Sequence, residues 1–123
     1  YEKIRISDYS CGGNSLSDID LPNPDRFEEI ELVKIDDLIH GNIFFENRNI
    51  NFIKLDIQGY ELYALEGAQT IIKKFKPTII CEVMTNFYSN EEKIDKFLIS
   101  IGYEKVLSVG KDRIYNFSIK TKP

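Results

Sequence analysis

Positive charge is in deficit in this chain, with 16 Lys and Arg against 20 Asp and Glu and a net charge of −4. Phosphate binding rests mostly on cationic side chains, which argues against a nucleic-acid partner. The densest basic cluster, Lys73, Lys74 and Lys76, falls at the end of an expected helix, where cations complement the dipole. Cysteine is scarce as well. Cys11 lies in a glycine-rich loop and Cys81 in an apolar stretch, so there is no disulfide framework or zinc-ligand spacing, and a reducing cytoplasm is the expected location. No apolar run approaches membrane-spanning length, no signal peptide is visible, and no repeat or low-complexity tract occurs, so no membrane partner is expected. The single histidine, His40, follows one turn of helix and reads as a cap or surface residue rather than a catalyst. The chain opens on Tyr1, not methionine, and is expected to have lost residues ahead of it.

What is present suits one modest globular domain spanning residues 1–123, 42% of them hydrophobic. Glu2 to Ser7 reads as a short strand and Ser10 to Asp25 as a loop. Ile30 to Ile35 alternates as a half-buried strand, and Asp36-Asp37-Leu38-Ile39 offers an N-cap with one helical turn. Phe52, Ile53, Leu55 and Ile57 form an apolar run with the pattern of a parallel strand covered on both faces. Leu62, Leu65, Ala68, Ile72 and Phe75 then place one amphipathic helix over Tyr60–Phe75, ended by Pro77, with Lys76 pushed towards extended geometry. Thr78 to Val83 is a second buried strand. Ser89-Asn90-Glu91-Glu92 opens a helix as a capping box, and Gly102 stops it. Tyr103–Val109 and Arg113–Ile119 flank a turn at Gly110-Lys111-Asp112. The expected fold is α/β, with a βαβ core and a C-terminal antiparallel hairpin.

Both buried strands end on an acid, Asp56 and Glu82, and Glu61 opens the helix between them. Open α/β sheets take ligands at the carboxyl ends of their strands, so these three carboxylates are expected to crowd one rim. An unpaired charge buried there costs several kcal/mol, so Asp56 should reach a crevice or accept loop amides. Glu61 has a second reading, as a carboxylate at the positive end of a helix. Asp36, Asp37, Asp56 and Glu82 could supply oxygen ligands to a hard cation, but their spacing is no metal motif and no metal is expected. Phe87 and Tyr88 could wall an acceptor pocket or fold back on the core. Ser15 lacks the Gly-x-Ser-x-Gly elbow of a nucleophile.

The run Asp56-Ile57-Gln58-Gly59-Tyr60-Glu61, with Leu65-Glu66-Gly67-Ala68, Lys76-Pro77 and the strand ending in Glu82, resembles the FkbM family of methyltransferases. Ile35-Asp36-Asp37-Leu38 resembles the acidic turn before this strand, and Gly13-Asn14-Ser15-Leu16 resembles the family's Ser-containing loop. The resemblance implies a partial Rossmann-like class I methyltransferase sheet and S-adenosylmethionine as cofactor. It implies O-methylation of a sugar or natural-product hydroxyl, so the expected partner is a small-molecule or glycan acceptor. Asp56 would lie beside donor and acceptor, Glu61 and Glu82 would shape the catalytic pocket, and Asn14 and Ser15 would close the cofactor side. Gln58 stands where the family usually carries Glu, which removes an acid–base group there. Gly12-Gly13 is not followed by a helical pattern and is not the cofactor loop. The chain is therefore expected to be the C-terminal portion of a methyltransferase domain, inactive alone, with a non-catalytic module that binds no cofactor as the alternative. The Phe52–Ile57 strand would then be an exposed edge, open to self-association unless Ile30–Ile35 or Ile4–Ser7 covers it.

Overall fold

A computed structural model describes residues 2–6, 26–42, 46–83 and 90–118, and the side chains of these except at 2–6 and 26–28. The loop holding Cys11, Gly12, Gly13, Asn14 and Ser15, and the segment with Phe87, Tyr88 and Ser89, lie outside the described residues.

Ten elements follow one another: β1 (Glu2–Ile6), β2 (Arg26–Ile30), α1 (Ile35–Ile39), β3 (Phe52–Leu55), α2 (Glu61–Glu66), α3 (Gln69–Phe75), β4 (Thr78–Glu82), α4 (Glu91–Ser100), β5 (Tyr103–Val109) and β6 (Asp112–Phe117) among the described residues. β1 and β2 form a two-stranded antiparallel sheet, and the other four form a sheet in the order β3-β4-β6-β5. β3 and β4 are parallel, joined by the two helices, while β6 runs antiparallel to both β4 and β5. The architecture is mixed α/β with a partly parallel sheet, and the expected βαβ core and terminal hairpin are both present.

β4 shows how the core is built. Its β-branched residues suit a pleated surface, and Ile79 and Cys81 are fully buried while Thr78, Ile80 and Glu82 are half-buried. One face of the sheet thus packs against Leu62 and Leu65 from α2, Ala68 between the helices and Ile72 from α3, and against Ile94 and Leu98 from α4. The Tyr115 hydroxyl donates to Asp95 Oδ1 at 2.6 Å, and Lys105 and Arg113 pair with Glu91 at 2.8 and 2.6 Å. The α4 register is set by Asn90, whose side chain accepts the Lys93 N–H at 3.0 Å. Asn90 is therefore the N-cap, one residue beyond the Ser89 that the capping-box pattern suggested. Gly102 ends the helix at φ +101°, and a methyl group there would meet the Phe117 ring at 2.7 Å. β5 carries a bulge between Lys105 and Leu107.

Five expectations need correction. The stretch Ile30 to Ile35 is not a strand, since only Ile30 lies in β2 and Leu32 and Val33 are exposed. Its course is set by the Asp36 N–H, which donates to Gly67 O at 2.9 Å, and Lys34 lies where a methyl group on Gly67 would meet it at 3.5 Å. The Tyr60–Phe75 helix is two helices, broken at Gly67-Ala68. Asp36 does not cap its own turn. Its carboxylate accepts the Thr70 and Ile71 N–H groups at 3.0 and 3.1 Å, giving α3 a cap from 34 residues upstream. Lys76 is left-handed (φ +50°, ψ +48°), not extended, because there its N–H still reaches Ile72 O at 2.9 Å. Finally, β3 is not covered on both faces. Neither β1 nor β2 pairs with it, it forms one edge of its sheet, and Phe52 is 53% exposed.

Candidate active site

The parallel register of β3 and β4 builds the site. Leu55 pairs with Cys81, so the next residue on each strand, Asp56 and Glu82, stand side by side at the carboxyl ends. Neighbouring strands lie about 4.8 Å apart, close enough for the two side chains to meet. The Glu82 carboxyl is raised above its ordinary value, first by hydrogen bonding with the neighbouring Asp56 carboxyl, then by burial and the Asp56 charge. Across the other side, Glu82 pairs in register with Asp112 of β6, while the Lys111 ammonium opposes the rise.

The chain leaves β3 through a tight turn. Gln58 and Gly59 both have positive φ, +55° and +93°. Glycine adopts that conformation freely, whereas a residue with a side chain is strained in it by about 1 kcal/mol. The turn directs the Gln58 amide Nε2 to Asp56 Oδ1 at 3.2 Å. The Ile57 N–H, on the inner side of the turn, donates to Glu61 Oε1 at 2.9 Å.

Glu61 is the unusual member. It is only 1% exposed, and its Oε2 has no hydrogen-bond partner among the described residues. Burial pushes its carboxyl above the ordinary range, with the Asp56 charge adding to the effect; the amides of Ile57, Glu61 and Gly59 pull it back down. Its charge also acts on Cys81, whose thiol is pushed up to about 12, mainly by burial. Asp56 and Glu82 thus form the rim pair, and Glu61 sits beneath the turn.

Asp36 and Asp37 are not part of this group. Asp36 is committed to α3, and among the described residues no group of three or more His, Cys, Asp or Glu is arranged to hold a metal. His40 is exposed at the C-cap of α1, its N–H donating to Asp36 O at 2.9 Å. Lys73 and Lys74 occupy the last turn of α3, as a solvated helix end would. An open groove of about 1080 Å³ runs beside α3, lined by Asp37, His40, Asn47, Arg48, Lys74 and Phe75 among others, and touches none of the three site acids. Reading residues singly missed the Gln58–Asp56 contact and the position of Asp112. The register of a strand ending on Glu82 against a hairpin beginning at Asp112 was the available signal for the second.

No described helix is long and apolar enough to cross a membrane. Comparison with curated proteins and with solved structures gives no match. The family comparison does: the methyltransferase FkbM domain matches residues 12–105, which take in the acid pair, the turn and the helices joining the two parallel strands. With well over half of its length matched in this way, the chain belongs to the FkbM methyltransferase family.

Proposed function

We propose that this chain carries the acceptor side of an S-adenosylmethionine-dependent O-methyltransferase, acting on a hydroxyl of a sugar or natural-product scaffold. The observation that supports it most is the Asp56–Glu82 pair at the carboxyl ends of adjacent parallel strands, the position at which open α/β sheets take ligands. The four-stranded sheet is read as part of a Rossmann-like class I sheet, the C-terminal portion of a methyltransferase domain. The rim suits the cofactor in one respect: its carboxylates offer negative charge to a sulfonium. When bound, the cofactor supplies an electrophilic methyl group. Asp56 orients the acceptor hydroxyl and takes its proton, Glu61 and Glu82 shape the pocket, and Asn14 and Ser15 are assigned to the cofactor side. Holding the reacting oxygen in line supplies most of the rate in such a site.

In the active enzyme, Asp56→Ala should cut methyl transfer by at least about a hundredfold, the scale of a lost proton acceptor. It should change the thermal midpoint little, because Asp56 is exposed. Methyl transfer unaffected by that substitution would defeat the assignment. A second reading, a module that keeps the fold but binds no cofactor, is favoured by the exposed β3 edge, which also suits self-association. Calorimetric titration with S-adenosylhomocysteine separates the two. Micromolar binding contradicts the non-catalytic module, and the absence of heat at millimolar ligand supports it.

A further inference from the structure

We propose that Asp56 and Glu82 receive the acceptor's proton together, as a single carboxyl–carboxylate pair, and that Gln58 is the positioning residue that presents Asp56 to Glu82. This inference rests on the methyl-transfer reading and adds a second proton-holding group and a residue that aims the first.

Three features of the geometry carry it. The β3–β4 register sets Asp56 and Glu82 side by side, one residue beyond the Leu55–Cys81 pair. Gln58 holds a left-handed backbone at φ +55° although glycine would adopt it without strain, and its amide reaches Asp56 Oδ1 at 3.2 Å. Strain of this kind persists where the surroundings impose it, and it concentrates at working sites. Beneath them, Glu61 ties the same turn through the Ile57 N–H.

Chemically, one carboxylate is a weak base, with an ordinary value of about 4 for aspartate. Two carboxylates held against each other repel when both are ionised, and one proton between them relieves that repulsion. Such a pair takes a proton more readily than either group alone. As the acceptor O–H bond breaks, its proton passes to Asp56 and is shared with Glu82. The oxygen electron pair forms the O–C bond to the methyl group of the sulfonium donor, and the C–S bond breaks with its electrons left on sulfur. The pair then releases its proton to water. The charged and titratable groups facing it are Glu61 from α2, and Lys111 and Asp112 from the hairpin. Lys111 opposes protonation of Glu82, whereas Asp112 favours it.

The test is a carboxyl-carbon NMR titration of the intact chain without ligand, in the native sequence and in Asp56→Asn, Glu82→Gln and Gln58→Gly. Glu82 is expected to titrate above the ordinary glutamate range in the native chain and to return to it in Asp56→Asn. Gln58→Gly keeps the turn and removes the amide, so it should move Glu82 part of the way back. In the active enzyme, Glu82→Gln should shift the acid limb of the kcat–pH profile downwards and lower kcat about tenfold, with the acceptor KM little changed. A Glu82 titration indifferent to Asp56→Asn overturns the shared proton, whatever the activity. Gln58→Gly without effect overturns the positioning role. A coupled titration in a protein that binds no S-adenosylhomocysteine and transfers no methyl group overturns instead the methyl-transfer reading on which the proposal rests.

Discussion

Replacing Asp36 by alanine should cost the fold about 2 kcal/mol. The carboxylate accepts two first-turn amides of α3, Thr70 N–H at 3.0 Å and Ile71 N–H at 3.1 Å. A helix cap is worth about 1 kcal/mol, and two bonds to a charged acceptor raise that figure, while partial exposure of Asp36 keeps it below the upper range. With a urea dependence of about 1–3 kcal/mol per molar for a chain of this size, the midpoint of unfolding should fall by about 1 M. Asp36→Asn keeps one accepting oxygen and should lose roughly half as much. The neighbouring Asp37 is exposed, so Asp37→Ala should stay within about 0.5 kcal/mol. The assay is equilibrium urea unfolding of the four chains, followed by far-ultraviolet circular dichroism. Equal losses at positions 36 and 37, or no loss at 36, would refute the assignment of Asp36 as the cap of a helix that begins 33 residues later.

Other expectations concern the buried acid and two backbone positions. Because burial raises the folded-state value of Glu61 above its ordinary 4.5, the native state binds its proton more tightly than the unfolded chain does. Its contribution to stability is therefore greatest below pH 4.5 and declines as pH rises through the raised value. Glu61→Gln should flatten that decline when unfolding free energy is measured across pH, and an unchanged slope would contradict it. Gly102→Ala combines φ +101° with a contact of 2.7 Å to the Phe117 ring; it should cost more than about 1 kcal/mol and lower the thermal midpoint by about 5 °C. Gln58→Gly should raise stability by up to about 1 kcal/mol by removing the left-handed strain, observable as a small upward shift of the thermal midpoint.

The elements legible in the sequence were those whose signals are local. A turn at Gly110 and Lys111, a capped start near Asn90, and apolar runs ending on Asp56 and Glu82 all report backbone geometry within a few residues. The break between α2 and α3 was hidden because Leu65, Ala68 and Ile72 keep helical spacing across it and all three remain buried. The second helix takes its cap from a carboxylate in a distant turn. The alternation over Ile30 to Ile35 misled for a related reason: hydrogen bonding to Gly67 decides its course, and no partner strand does. For the site, the two strand-end acids could be foreseen from the parallel order of the strands. The burial of Glu61 and the aim of Gln58 could not, because both depend on how one short turn sits over the core. Asn14 and Ser15, named from family resemblance, lie outside the described residues.

The bulge in β5 has a bearing on how this sheet could grow. A new strand laid along β5 would lose its ladder after Lys105, where one extra residue throws the backbone out of step, although Val106, Leu107 and Val109 offer it apolar surface. Along β3 the ladder is short but unbroken, and the exposed Lys54 in its middle is a charge that an incoming strand would have to accommodate. The two margins are thus guarded by different means, one by geometry and one by electrostatics. Salt can screen the second guard but not the first, so extension of the sheet has a built-in direction, and ionic strength acts on one side only.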